Sequence, residues 1–220
     1  KQAPPAETDF FLEVKTIAIQ GAEKTRQWVI LREMTLAEGQ EVAASDLAFH
    51  LNQSQRNVYN LGLFNEVVLE PVIFQRELTL IVRVKERWYL LGNPFLKVEE
   101  RNSYDLLEAF LDRDFRRLAY GAQLQWRNLS GRNETLILAG QLGFSQRLLL
   151  DFTRPALFRR ANIDLRAAFQ YINEPEIILG TVDGVVQWQG LENGSMRRSY
   201  VGLISLRKRL SIYRHVYGEL

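Results

Sequence analysis

Two histidines, 26 carboxylates and no cysteine are what this 220-residue chain offers for side-chain chemistry. Metal binding or acid–base catalysis needs several such groups brought together by their spacing. His50 falls on a predicted helix and His215 near the end of the sequence, and neither has a carboxylate or thiol partner at ligand spacing. The residues therefore assign no catalytic group, no metal ligand and no cofactor, and the expectation is a protein that is not an enzyme. Without cysteine there are no disulfides and no thiolate sites. Gly121 and Gly131 do not make a phosphate loop, because no lysine or helix start follows them. Asp112-Arg113-Asp114 reads as a solvated helix end. The 28 basic and 26 acidic residues nearly cancel, leaving +2, so nothing in the charge favours nucleic acid. The chemistry that remains belongs to the backbone: a strand edge whose N–H and C=O groups are free to pair with another strand.

Such an edge needs strands to form it, and the pattern supplies them in two halves. Residues 1–9, opening KQAPPAET, are polar and proline-rich and read as a flexible lead-in. Residues 10–87 follow a β-α-α-β-β order. Leu12 to Gln20 is a Val- and Ile-rich strand closed by Gly21. Lys24 to Met34 is a helix with Trp28, Leu31 and Arg32 on one side. A second helix has Ser45 as N-cap, Asp46 near its positive end, and Leu47, Leu51, Val58 and Leu61 on one face. Gly62 ends it. Glu66 to Val72 is a short strand that Pro71 directs to a sheet edge, since proline cannot donate to a ladder. In the last strand, Leu78, Leu80, Val82 and Val84 alternate with polar or outward residues.

Residues 88–116 form a join, with a turn at Asn93-Pro94 and a short helix expected from Asp105 to Phe115. From residue 117 on, strands read as Leu118–Asn128, Asn133–Ser145, Arg147–Thr153, Asn162–Ile172, Thr181–Gln189 and Arg198–Arg207, with another beginning near Leu210. Tyr120, Ala122, Leu124 and Trp126 point one way from the first of these. Leu136, Leu138, Leu142 and Phe144 share a face of the second. Lengths of about 9–11 residues suit tilted membrane-spanning strands better than the shorter strands of soluble sandwiches. No run of about 18 apolar residues is present, so no transmembrane helix is expected, a condition that barrels also meet.

The first half resembles a polypeptide-transport-associated (POTRA) domain. The resemblance rests on Ile17-Ala18-Ile19-Gln20-Gly21, on Lys24-Thr25 leading to Val29-Ile30-Leu31-Arg32-Glu33, and on Leu61-Gly62-Leu63-Phe64-Asn65-Glu66-Val67. The second half resembles the first barrel strands of BamA-like outer-membrane assembly factors. That match lies in Arg117-Leu118-Ala119-Tyr120-Gly121, Asn128-Leu129-Ser130-Gly131-Arg132-Asn133 and Phe152-Thr153-Arg154-Pro155-Ala156-Leu157. The expected fold class is an α+β POTRA domain followed by antiparallel transmembrane β-barrel strands. One POTRA domain is visible where the family carries several. Six or seven strands are readable, fewer than its barrels have, and the late Arg-Gly loop motif and terminal aromatic are absent. The expectation is either the front part of a longer protein or a reduced relative.

The resemblance implies an outer-membrane protein with its N-terminal domain in the periplasm. It would assist insertion or export of other outer-membrane proteins. Its partners would be outer-membrane lipid, other outer-membrane or periplasmic proteins and unfolded barrel clients. Glu66, Val67, Val68, Leu69 and Glu70 would pair with client strands, although the same charges and Pro71 equally suit an edge blunted against pairing. Leu118, Tyr120, Gly121, Ala122, Leu124 and Trp126 would form the first barrel strand, bordering the seam where the barrel opens. Leu136, Leu138, Leu142, Phe144, Leu165 and Phe169 would face lipid. Two other readings stand beside this one: a structural outer-membrane subunit that scaffolds a complex without inserting clients, and a soluble two-domain β-rich binding protein.

Overall fold

A computed structural model describes residues 10–98, 118–158, 161–182, 185–190, 194–211 and 215–219. The helix expected from Asp105 to Phe115 and the N-terminal lead-in lie outside the described residues. The chain divides into two compact units, the first running through Trp88 and including the turn Ser130–Asn133, the second comprising the rest.

The first unit is built from β1 (Phe11–Gln20), α1 (Gln27–Leu31), β2 (Glu41–Ala43), α2 (Ala44–Asn60), β3 (Phe64–Phe74) and β4 (Glu77–Glu86). Its sheet has the order β2-β1-β4-β3, with β1 and β4 parallel and the other pairs antiparallel. Leu12, Val14, Leu78, Leu80 and Val82 are fully buried on one face, which explains their strict alternation. The turn from α2 into β3 works as the residues suggest. Gly62 takes φ 69°, and Leu63 and Phe64 follow it into the core with no exposed surface. Gly21 is demanded by close approach as well as by φ 84°, because a Cβ there would stand 2.0 Å from the Val84 carbonyl oxygen.

Two local expectations need correction. The first helix is a single short turn, and it buries Val29 and Ile30, while Leu31 is exposed and Arg32 lies 6.0 Å from the Trp28 ring. The loop before it is held from elsewhere. The Glu86 carboxylate accepts the Thr25 backbone N–H at 2.7 Å, the Thr25 hydroxyl at 2.5 Å and the Lys24 N–H at 3.1 Å. That carboxylate is why Lys24-Thr25 forms a fixed loop and not a helix start. The second helix begins at Ala44, with no side-chain cap at Ala43, and Ser45 sits inside its first turn alongside Asp46. Within this unit the Arg26 N–H also donates to the Gly131 carbonyl at 2.8 Å, and Gly131 lacks a Cβ that would stand 2.1 Å from the Lys24 carbonyl oxygen.

The second unit holds β5 (Leu90–Val98), β6 (Leu118–Arg127), β7 (Thr135–Gly143), β8 (Gln146–Phe158), β9 (Ile163–Glu174), β10 (Glu176–Val182), β11 (Val185–Gly190), β12 (Arg197–Arg209) and β13 (His215–Glu219). Seven of these form one sheet in the order β13-β12-β9-β8-β7-β6-β5. Its neighbouring strands all pair antiparallel. The remaining two, β10 and β11, form a separate antiparallel hairpin, where a single strand Thr181–Gln189 was expected.

Asn93-Pro94 is not a turn. Both residues lie inside β5, opposite Gln123 and Ala122. Arg154-Pro155 does not separate strands either, because β8 runs through it with a register shift between Arg154 and Phe158 and Ala156 at φ 46°. Such a bulge accommodates a proline without ending the strand.

Candidate functional site

Cross-strand register shows what the two faces of the seven-stranded sheet carry. Gly92, Leu124, Leu138, Leu150, Phe169 and Gly202 form one row from β5 to β12. Trp126, Leu136, Phe152, Ala167 and Ile204 form the next. On this face β6, β7, β9 and β8 as far as Phe152 bear no charged side chain. The opposite face is mixed. Arg166 donates to Asp151 at 2.6 and 3.1 Å, Arg207 to Asp164 at 2.5 and 2.7 Å, and Gln141 to the Ser145 hydroxyl at 2.7 Å.

Exposure runs opposite to that of a water-soluble sheet. Leu138, Leu142, Leu150 and Phe169 are 37–55% exposed on the apolar face, while Gln141, Asp151, Asp164 and Ser205 on the polar face are at most 9% exposed. Soluble proteins almost never bury charged groups while leaving a contiguous apolar surface open.

Of the residues expected to face lipid, Leu136, Leu138, Leu142, Leu165 and Phe169 lie on this single apolar face. Phe144 lies beyond β7, which stops at Gly143 (φ 106°), where a Cβ would stand 2.2 Å from the Leu118 carbonyl oxygen. Leu148, Leu150 and Phe152 join the face but were missed by pattern. The run Leu148-Leu149-Leu150 hides its own alternation, and only pairing with Leu138 and Phe169 shows which leucine points outward.

Asp164 ties three strands together on the polar face. One oxygen accepts the Ala156 N–H of the β8 bulge at 2.8 Å, and the other accepts Arg207 of β12. Asp164→Ala should cost about 2 kcal/mol, because it strands a buried donor and a guanidinium. Asp164→Asn should cost less, since it keeps an acceptor. The urea midpoint of the folded sheet measures both, and equal midpoints for wild type and Asp164→Ala would refute the link.

The strand edges follow from the hydrogen-bond phase. In an antiparallel ladder, alternate residues bond to alternate neighbours. Arg127 donates to Tyr89 on the β5 side, and Asn128 donates to Glu134 on the β7 side. Phe144 of the β7 side donates to Leu118. Odd residues of β6 therefore bond to β5, and even residues bond to β7. With Leu90 opposite Trp126 and Val98 opposite Leu118, the odd residues of β5 bond inward. Leu90, Gly92, Pro94, Leu96 and Val98 turn their backbone groups away from β6.

This geometry corrects the expected seam. Leu118, Tyr120, Gly121, Ala122, Leu124 and Trp126 lie on β6, which is paired on both sides. Among the described residues the edges of this sheet are β5 and β13, and β5 is the one beside β6. Gly121 makes room across that pair: a Cβ there would meet the Phe95 ring at 2.7 Å and the Gly140 carbonyl oxygen at 2.1 Å.

In the first unit β3 is an edge of its sheet, as Pro71 suggested. The two-residue turn Gln75-Arg76, with φ 47° and 68°, places a hydrogen-bonded pair at Phe74 and Glu77. Counting back, Glu66, Val68 and Glu70 bond to β4, while Val67, Leu69, Pro71 and Ile73 face outward. Val67's carbonyl already accepts Gln55 Nε2 at 2.8 Å, and Glu70 is engaged with Arg83 at 2.8 Å. Of the five expected client-pairing residues, Leu69 therefore presents both outward backbone groups, and Val67 only its N–H.

His50 Nδ1 lies 3.1 Å from the Thr35 hydroxyl, which also contacts Ser54. His215 stacks loosely with Tyr217 at 6.5 Å. Among the described residues no three His, Cys, Asp or Glu side chains converge to hold a metal ion. No described helix is long and apolar enough to cross a membrane, which says nothing about strands.

A mixed β2-β1-β4-β3 sheet with two helices, followed by an antiparallel sheet with an exposed apolar face, defines a POTRA domain joined in sequence to a barrel-type sheet. Residues 12–87 match the POTRA family model, described as surface antigen variable number repeat. Over part of its length the chain is similar to BamA. It is 41% identical over 75 residues to the outer membrane protein assembly factor BamA of Neorickettsia risticii (strain Illinois), a match covering 34% of this chain and 10% of that protein. Its fold resembles BamA from Haemophilus ducreyi lacking POTRA domains 1–3, at TM-score 0.57 and 17% identity, over 94% of this chain and 34% of that one. The chain thus spans about a third of that structure. CdiB from Escherichia coli is more distant, at TM-score 0.40 and 10% identity over 89% of this chain and 41% of its own.

Proposed function

We propose that the protein carrying this chain is an outer-membrane assembly factor that works by strand pairing and uses no enzymatic chemistry or cofactor. The sheet β5 to β13 lies in lipid with its apolar face outward, and residues 10–88 lie in the periplasm. Unfolded barrel clients add strands at β5. The observation that carries this reading is the reversed exposure of the sheet, with leucines and Phe169 open and the carboxylates of Asp151 and Asp164 buried. The similarity to BamA supports the client class. In lipid an unpaired strand edge costs several kcal/mol per backbone group, so the outer edge of β5 strongly favours a partner strand. The β3 edge is the weaker site, because Gln55, Pro71 and the Glu70–Arg83 pair occupy or blunt it.

The test is photo-crosslinking of nascent barrel proteins to probes at Leu96 on β5 and Leu69 on β3, in membranes. Client adducts from Leu96 exceeding those from Leu69 are expected. Membrane insertion without any client adduct would favour the non-inserting structural subunit. A protein that stays monodisperse without detergent would sink the membrane reading altogether.

A further inference from the structure

The apolar face of the seven-stranded sheet changes character one row past Phe152. Arg154 is the next residue of β8 on that face. It lies opposite Leu165 of β9, which lies opposite Leu206 of β12. One row further on, Lys208 of β12 lies opposite Ile163 of β9. This is the end of the sheet where β5 begins, because Leu90, Trp126, Leu136 and Phe152 share the preceding row. With residues 10–88 in the periplasm, it is the periplasmic end. Trp126 fits that level, since tryptophan concentrates at the boundary between lipid and water.

Two cations thus flank a strip of Ile163, Leu165 and Leu206. They stand two strands and two residues apart, roughly 12 Å between Cα atoms at ordinary sheet spacings. Lys208 is exposed and Arg154 half-buried. Among the described residues neither is ion-paired. An arginine that only snorkelled would carry its whole guanidinium to water. Arg154 instead keeps Nε enclosed, and that N–H meets no acceptor among the described residues. A buried donor left unmade costs about 1–3 kcal/mol, so the site favours an acceptor from outside the chain.

We propose that Arg154 and Lys208 hold the phosphodiester headgroup of an anionic phospholipid of the periplasmic leaflet, with its acyl chains along Leu165 and Leu206. The proposal rests on the membrane placement argued above and adds a lipid ligand to it. Guanidinium and ammonium are the natural partners of phosphate oxygens, and a planar guanidinium offers several donors at once. The apolar strip continues from the headgroup toward Ala167 and Phe169, the direction that acyl chains take into the bilayer.

The experiment inserts the full-length protein into vesicles of phosphatidylcholine containing a minor fraction of phosphatidylglycerol. The protein is then extracted in mild detergent, and the lipids it retains are identified by mass. Wild type should retain phosphatidylglycerol in preference to phosphatidylcholine. Arg154→Gln and Lys208→Gln should each lower that preference roughly fivefold, the effect of one basic side chain near an anionic surface. Lys208 lies outside the β8 bulge, so its variant reads the site even where Arg154→Gln disturbs folding. Arg147→Gln removes a cation from the polar face, where Arg147 pairs with Glu174, and should leave the preference unchanged. Excess inorganic phosphate should not displace the lipid, because it has no acyl chains to lay on the strip. Displacement by phosphate would reveal a free-anion site and overturn the lipid assignment. A loss with Arg147→Gln equal to that with Lys208→Gln would reduce the effect to overall charge, and the proposal falls. Wild-type preference in both site variants, in protein that is inserted, also overturns it and leaves the membrane placement standing. Failure of the protein to insert into vesicles removes the placement itself.

Discussion

Phe64→Ala is expected to lower the stability of the first unit by about 3–5 kcal/mol. Phe64 is fully buried, it follows the left-handed Gly62, and it opens β3 where that strand meets α2. Removing its ring deletes buried apolar area and leaves a cavity between a helix and a sheet that are both fixed by other contacts. Leu63, beside it in the chain, is also fully buried, and interiors are close-packed, so little can move in to fill the space. Phe49→Ala is the control, since Phe49 lies on α2 with 67% of its surface exposed, and it should change stability by no more than about 0.5 kcal/mol. Amide hydrogen exchange in α2, measured in the intact protein, reads the effect. Equal protection in the two variants would show that Phe64 is not a keystone of this unit.

With the apolar face in lipid, as proposed, Leu138→Arg is expected to cost about 2–4 kcal/mol if it sits near the bilayer midplane. Leu138 lies in the row Leu124, Leu138, Leu150, Phe169, away from strand ends, where an arginine has the furthest to reach for water. Gln123→Arg places the same charge on the polar face and should cost far less. Urea titration of the protein folded into vesicles gives both values. A Gln123→Arg loss as large as that of Leu138→Arg would mean that the polar face, not the apolar one, meets lipid.

Much of this was legible in the chain. Period-two alternation in Leu78–Lys85 and Ile163–Tyr171 marked strands and their faces, because side-chain direction in a strand is a local property. Gly62 followed by Leu63 and Phe64 marked the helix end for the same reason: a positive φ and two core residues act over a few positions. Pro71 marked an edge, since any proline in a strand must turn its missing donor away from the ladder.

Where local rules were ambiguous, they misled. Asn93-Pro94 reads as a turn, yet it continues β5, because a proline is free to sit in an edge strand at an outward position. The sequence alone cannot distinguish the two cases, since the answer depends on whether a strand lies on the far side. The same non-local fact moved the edge from β6 to β5. Glu86 reaches back across some sixty residues to hold Lys24-Thr25, so no local pattern announced that loop.

By itself, then, the sequence determined which residues alternate, where glycine and proline punctuate the chain, and that apolar faces existed to be covered. Tertiary structure decided strand order, hydrogen-bond phase and hence which backbone groups remain open. Side-chain alternation is encoded residue by residue, whereas pairing joins segments far apart in the chain. An edge exists only once every other strand has found its neighbour.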